Sequence, residues 1–212
     1  MSTVALKLVV PTTDNGTVAQ KPRPPRRRPN AESRSREYLH DHEVARLIKT
    51  AKRSRNGHRD ATMILIAYRH GLRVAELVAL QWSQIDLRSG RIHVNRVKGS
   101  IPSVHPLTGT ELRALRQLQR EQGNGVSHLF TSERGAPLSA AGFRKLIARL
   151  GIEAAFTFPL HPHMLRHSCG YKLANQGVDT RSLAAYLGHA SLNNTSRYTQ
   201  IAANRFKDFW QD

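Results

Sequence analysis

Apolar residues recur at helical spacing along most of this chain, interrupted by one alternating stretch near its middle. Val44, Leu47, Ile48 and Ala51 form a first stripe, with Asp41 placed to cap the helix that carries it. Met63, Ile64, Ile66 and Ala67 form a second, which Gly71 breaks. A helix opening at Arg73 would turn Leu77, Val78 and Leu80 inward and set Glu76, three residues on, on the face of Arg73. From residue 84 to 107 apolar and polar positions alternate around turns at Arg88-Ser89-Gly90 and Lys98-Gly99-Ser100. That is the pattern of a small antiparallel sheet with Lys98 on a hairpin. Helical spacing returns over residues 110–122, and a short extended piece runs through His128, Leu129 and Phe130. Residues 139–150 then predict a helix that buries Phe143, Leu146, Ile147 and Leu150. Pro162 opens a helix around His163 that Gly177 ends, residues 180–187 form the next, and Tyr198 falls in or just after a short one starting near Ser191. The sum is a mainly α chain with a small antiparallel β-sheet, an α+β fold.

Charge divides this pattern. Residues 21–36 hold seven lysines and arginines against the single Glu32, interleaved with prolines, so residues 1–36 are expected to be a disordered basic arm. Residues 37–212 read as one folded domain, because 212 residues at 39% hydrophobic suffice for one well-buried core and are short for two. At the end of that domain, in residues 203–212, Phe206, Phe209 and Trp210 recur at i, i+3 and i+4. Such a stripe is expected to dock on a neighbouring protomer. The net charge of +18 favours a polyanionic partner without choosing DNA over RNA. Cys169 stands alone, which excludes an intrachain disulfide and a Cys-x-x-Cys zinc framework and fits a reducing cytoplasm. The apolar run over residues 63–67 is far below the roughly 20 residues of a membrane span. Residues 1–10 lack the length and cleavage site of a secretory signal.

The chemistry concentrates late in the chain. His163-Met164-Leu165-Arg166-His167 is followed by Leu187-Gly188-His189 and by Tyr198. Arginine offers a fork of donors to two phosphate oxygens, histidine moves a proton near neutral pH, and tyrosine supplies an oxygen nucleophile. Upstream, Gly71-Leu72-Arg73-Val74-Ala75-Glu76-Leu77 pairs another arginine with a glutamate, and Lys98 follows a predicted strand. Taken singly, each residue has a bland reading: Arg73 a helix cap, His163 or His189 a packing histidine, Lys98 a solvated turn. Together, in this order and spacing, they resemble the tyrosine recombinase (integrase) family, with its Gly-Leu-Arg-x-x-Glu-Leu box, hairpin lysine, His-x-x-Arg box, Leu-Gly-His and a tyrosine shortly after. The run from His161-Pro162 to Ser168-Cys169-Gly170, with Val178-Asp179-Thr180-Arg181 and His105-Pro106-Leu107, is similar to the fimbrial phase-switch invertases, small bacterial members without an amino-terminal DNA-binding domain.

The resemblance implies the family's catalytic-domain fold and a site-specific recombinase that cuts and rejoins double-stranded DNA through a 3′-phosphotyrosyl link, with no cofactor and no metal. Inversion of a regulatory segment is favoured over integration. Arg73 and Arg166 would clamp the nonbridging oxygens, Tyr198 attack, Lys98 protonate the leaving 5′ oxygen, His163 take the tyrosine proton and His189 donate to the phosphate. Glu76 and His167 would be supports. Arg96 and Lys98 could exchange roles, since the hairpin register is open. The implied partners are DNA, further copies of the chain in a tetrameric synapse and DNA-bending accessory proteins, all in a cytoplasmic, nucleoid-associated setting with no membrane. A zinc reading of His161, His163 and His167 lacks the Glu of a His-Glu-x-x-His site and any cysteine pair. Rival functions are a DNA-binding regulator with a decayed site, a basic RNA-binding protein, and a type IB topoisomerase that shares the chemistry.

Overall fold

A computed structural model describes residues 36–96 and 101–201. The expectations placed on residues 1–35, on Lys98 and on Phe206, Phe209 and Trp210 lie outside them. The first helix, α1 (Asp41–Ala51), buries Val44, Leu47 and Ala51 as the spacing predicts. Asp41 is its first residue rather than its cap: His40 takes that place, and the Glu43 carboxylate reaches back to accept from the His40 amide at 2.8 Å. A carboxylate three residues into a helix satisfies an otherwise orphaned donor as well as a capping side chain does. Helix α2 (Gly57–Arg69) is buried over most of its circumference and packs against α1 and three later helices. After Gly71, Arg73 adopts extended backbone and caps the five-residue α3 (Val74–Val78). Leu80 is buried beyond the end of α3.

The small antiparallel sheet lies where the alternation predicts it and uses part of that stretch. A single 3-10 turn (Trp82–Gln84) leads into β1 (Ile85–Asp86), then β2 (Arg91–Val94) and β3 (Ser103–Pro106), antiparallel in the order β1-β2-β3. Ile92 and Val94 point into the core while Arg91 and His93 face out. In register, Ile92 stands opposite His105 and Val94 opposite Ser103. His105 therefore enters the core, where a lone imidazole would be costly. It is paired instead: its Nδ1 lies 3.1 Å from His70 Nδ1, its Nε2 lies 2.8 Å from the Ser103 hydroxyl, and its ring stacks on Tyr186 at 3.9 Å. His70 Nε2 in turn sits 2.8 Å from Glu111. This chain of buried polar groups ties the returning strand to the helices behind it.

Helix α4 (Gly109–Gln122) and helix α5 (Ala140–Glu153) complete one side of the core, and the predicted Phe143, Leu146, Ile147 and Leu150 are all buried. The extended piece around His128 bridges to Gln81, and the Leu129 amide donates to the Leu80 carbonyl. At the centre lies α6 (Pro162–Asn175), whose middle turns are buried on every side from Met164 to Gly170. It packs against α1, α2 and α5 and against two closing helices, α7 (Thr180–Leu187) and α8 (Asn193–Ile201). The segment just before α1 lies across α6 as a strap: the Leu39 amide donates to Ser168 Oγ at 2.7 Å, and Tyr38 stacks on Tyr171 at 4.0 Å. Among the described residues no helix is long and apolar enough to cross a membrane.

Candidate active site

The site forms where the end of α2, the cap of α3, the middle of α6, the end of α7 and helix α8 meet. Arg166 is its buried centre, only 1% exposed. Its guanidinium donates to two main-chain carbonyls, Gly71 O before α3 and Leu187 O, the latter at 2.7 Å. Carbonyls at a helix end lack intrahelical partners and carry the negative end of its dipole, so α7 is suited to receive a cation there. Arg73 is half-buried and its Nη1 donates to Glu76 Oε1 at 2.9 Å, while its amide donates to Glu76 Oε2, also at 2.9 Å. Arg96, just after β2, approaches Glu76 Oε2 from the opposite side at 2.9 Å. Burial works against ionising Glu76, but the Arg73 amide and the two guanidiniums outweigh it and hold its pKa below the ordinary value. Burial, then the positive charges of Arg73 and Arg96, push Arg166 down to about 10, so it remains a cation at neutral pH.

The second half of the site surrounds Tyr198, which α8 holds against α6 at 5% exposure. Its hydroxyl lies 2.8 Å from His167 Nδ1, so the structure pairs it with His167 rather than His163. His163, one turn earlier on α6, is exposed and meets His167 edge to face at 4.4 Å. His189 follows the Gly188 cap of α7, with Nδ1 2.7 Å from the Thr195 hydroxyl and its ring parallel to Tyr198 at 6.4 Å. Desolvation first, then surrounding positive charge, lowers all three imidazoles, His163 and His189 to about 4 and His167 to about 3. They are neutral at physiological pH, so each ring keeps one nitrogen that can accept a hydrogen bond. Burial raises the Tyr198 pKa, with Arg166 and Arg197 working against that rise. Among the described residues no group of three or more His, Cys, Asp or Glu is arranged to hold a metal ion.

The model of the phage integrase family matches residues 37–205. The chain belongs to this family, the tyrosine-type site-specific recombinases. It is 40% identical over 181 residues to the type 1 fimbriae regulatory protein FimE of Escherichia coli K12, covering 83% of this chain and 91% of that one. FimB of the same strain is 36% identical over 184 residues, covering 85% and 92%. Among solved structures, the XerA recombinase superposes with a TM-score of 0.71 at 27% identity, over 81% of this chain and 63% of XerA.

In this recombinase the structure brings together Arg73, Glu76, His163, Arg166, His167, His189 and Tyr198; Lys98 falls outside the described residues. Three further residues shape the site in roles that the sequence did not assign them. Thr195, fully buried, fixes the edge of His189. Gly170 lies under Tyr198, where a Cβ would come within 2.8 Å of the ring. Gly188 takes a left-handed backbone, φ 67° and ψ 40°, and a Cβ there would meet the Arg96 side chain at 2.8 Å. A glycine in mid-helix or before a histidine is a visible signal, but what it makes room for comes from residues far along the chain.

Proposed function

We propose that this recombinase binds double-stranded DNA as a homo-oligomer, tetrameric at synapsis, and inverts a regulatory DNA segment through a covalent link to Tyr198. The observation that carries the reading is the Tyr198 hydroxyl held 2.8 Å from a neutral imidazole in a pocket that also contains Arg166 and Arg73. A phosphodiester resists attack because its nonbridging oxygens repel a nucleophile and its leaving alkoxide is poor, so charge and a proton must both be supplied. Arg73 and Arg166 supply the charge. Tyr198 donates its proton to His167, its oxygen bonds to phosphorus, and the bond from phosphorus to the 5′ oxygen breaks. Lys98 protonates that oxygen. His189, accepting from Thr195 at Nδ1, carries its own proton on Nε2 and presents it to a nonbridging oxygen. His163 receives the proton from the tyrosine side as an exposed relay. The basic arm of residues 1–36 adds contacts to the DNA backbone, and Phe206, Phe209 and Trp210 dock on the next protomer. The likeness to FimE and FimB supports inversion.

The test begins with the DNA flanking the coding region, where short inverted repeats bracketing a promoter supply the substrate. On a nicked duplex carrying that repeat, the protein should form a covalent adduct that maps to Tyr198. Tyr198→Phe should bind the duplex with unchanged affinity and form none. An adduct that survives the substitution would place the nucleophile elsewhere and overturn the reading.

A further inference from the structure

Arg96 has no part in the steps above, yet its side chain is wholly excluded from solvent, at 0% exposure. Burying a guanidinium is costly unless its charge and donors are met, so the surroundings that retain it are informative. Its Nη1 meets Glu76 Oε2 at 2.9 Å, and its Nη2 donates to the carbonyl of Tyr186 near the end of α7. Its stem runs against Gly188, where a Cβ would lie 2.9 Å from both Cγ and Cδ. The other oxygen of Glu76 is taken by Arg73. Arg96 thus spans the base of the hairpin, the carboxylate that orients Arg73, and the turn that presents His189. Arg73, Arg96 and Arg166 against Glu76 give the pocket two positive charges in excess.

We propose that Arg96 is a positioning residue for DNA cleavage: it pins Glu76, and through it the Arg73 guanidinium, to the end of α7, so that the phosphate clamp is formed before DNA arrives. It does not protonate the leaving oxygen, since both Nη atoms are engaged and the group is sealed from solvent. A clamp assembled in advance requires no reorganisation as charge develops on the phosphate, which is where such donors contribute most.

The proposal rests on the recombinase reading of Tyr198 and Arg166, and the experiment separates the two. Arg96→Met and Arg96→Lys, in the full chain, are assayed for adduct formation on three nicked duplexes. One carries an ordinary scissile phosphate, one a methylphosphonate that lacks one nonbridging oxygen and its charge, and one a sulfur in place of the 5′-bridging oxygen. A mispositioned clamp matters little when the phosphate is neutral. Arg96→Met should be about a hundredfold slow on the ordinary phosphate, within about threefold of the parent on methylphosphonate, and still about a hundredfold slow on the bridging sulfur. Arg96→Lys, which keeps charge but not the two-way bracket, should lie between and carries the comparison should the methionine variant fail to fold. Equal defects on phosphate and methylphosphonate would reduce Arg96 to a packing role and overturn the proposal. Rescue by bridging sulfur would make Arg96 the acid and overturn it too. Arg166→Ala should be relieved by methylphosphonate and Tyr198→Phe should be inert on all three. If either control fails, the fault lies with the reading of the site rather than with Arg96.

Discussion

At the scale of single residues, the tyrosine ring and the glycine beneath it make a testable pair. Alanine in place of Gly170 would favour the helix by about 1 kcal/mol, yet its methyl would lie 2.8–2.9 Å from three atoms of the Tyr198 ring. A planar ring cannot yield as a flexible chain end does, so the hydroxyl must swing away from His167. Gly170→Ala should therefore keep its far-UV circular dichroism and lose cleavage by about tenfold or more; cleavage at the parental rate would show that the ring's seat is not needed. The sequence made Arg73, Arg166, His189 and Tyr198 readable because their types, order and spacing coincide. It could not show which of His163 and His167 meets the hydroxyl. The two lie one turn apart on α6, and the choice depends on the approach of α8. Thr195 and Gly170 were illegible for the same reason, each acting on a partner from another segment.

At the scale of elements, helix limits followed the punctuation of Gly71, Pro162, Gly177 and Gly188, where local chemistry decides. What could not be read was how a short segment uses a distant helix. The strap before α1 has no periodicity, yet its Leu39 amide depends on Ser168 at the heart of α6, whose hydroxyl also donates to the Met164 carbonyl. Ser168→Val would leave the buried Leu39 donor without a partner, at a cost of about 1–3 kcal/mol. Urea denaturation should show a lower midpoint with an unchanged slope; an unaltered midpoint would mean the strap lifts away freely. The small antiparallel sheet was legible from the alternation, but its strand lengths were not, since polar residues alternate through turns as well as strands and only β2 and β3 sustain a ladder beyond two residues.

For the whole molecule, the mainly helical architecture with its small sheet was legible from apolar spacing, and the polyanionic partner from net charge, whereas the depth of polar burial was not. His105 and His167 are held neutral at about 3, and Glu111 stays ionised down to about 2, burial opposing its charge and His70 and Thr108 outweighing that opposition. Above pH 6.5 these histidines are neutral both folded and unfolded. As pH falls toward 3 the unfolded chain gains protons that the folded one refuses, so stability should decline, by up to about 1.4 kcal/mol per pH unit for each histidine. The carboxylate adds its loss in the same direction between its ordinary value and about 2. The urea midpoint should be lower at pH 5 than at pH 7.5; equal midpoints would contradict the burial of both rings. The holding of Arg166 by the carbonyls of Gly71 and Leu187 has one more consequence. Main-chain oxygens belong to every residue, so no exchange of a neighbouring side chain deprives this cation of its partners. Its aim is inherited from the path of the backbone, and is lost only when that path is lost.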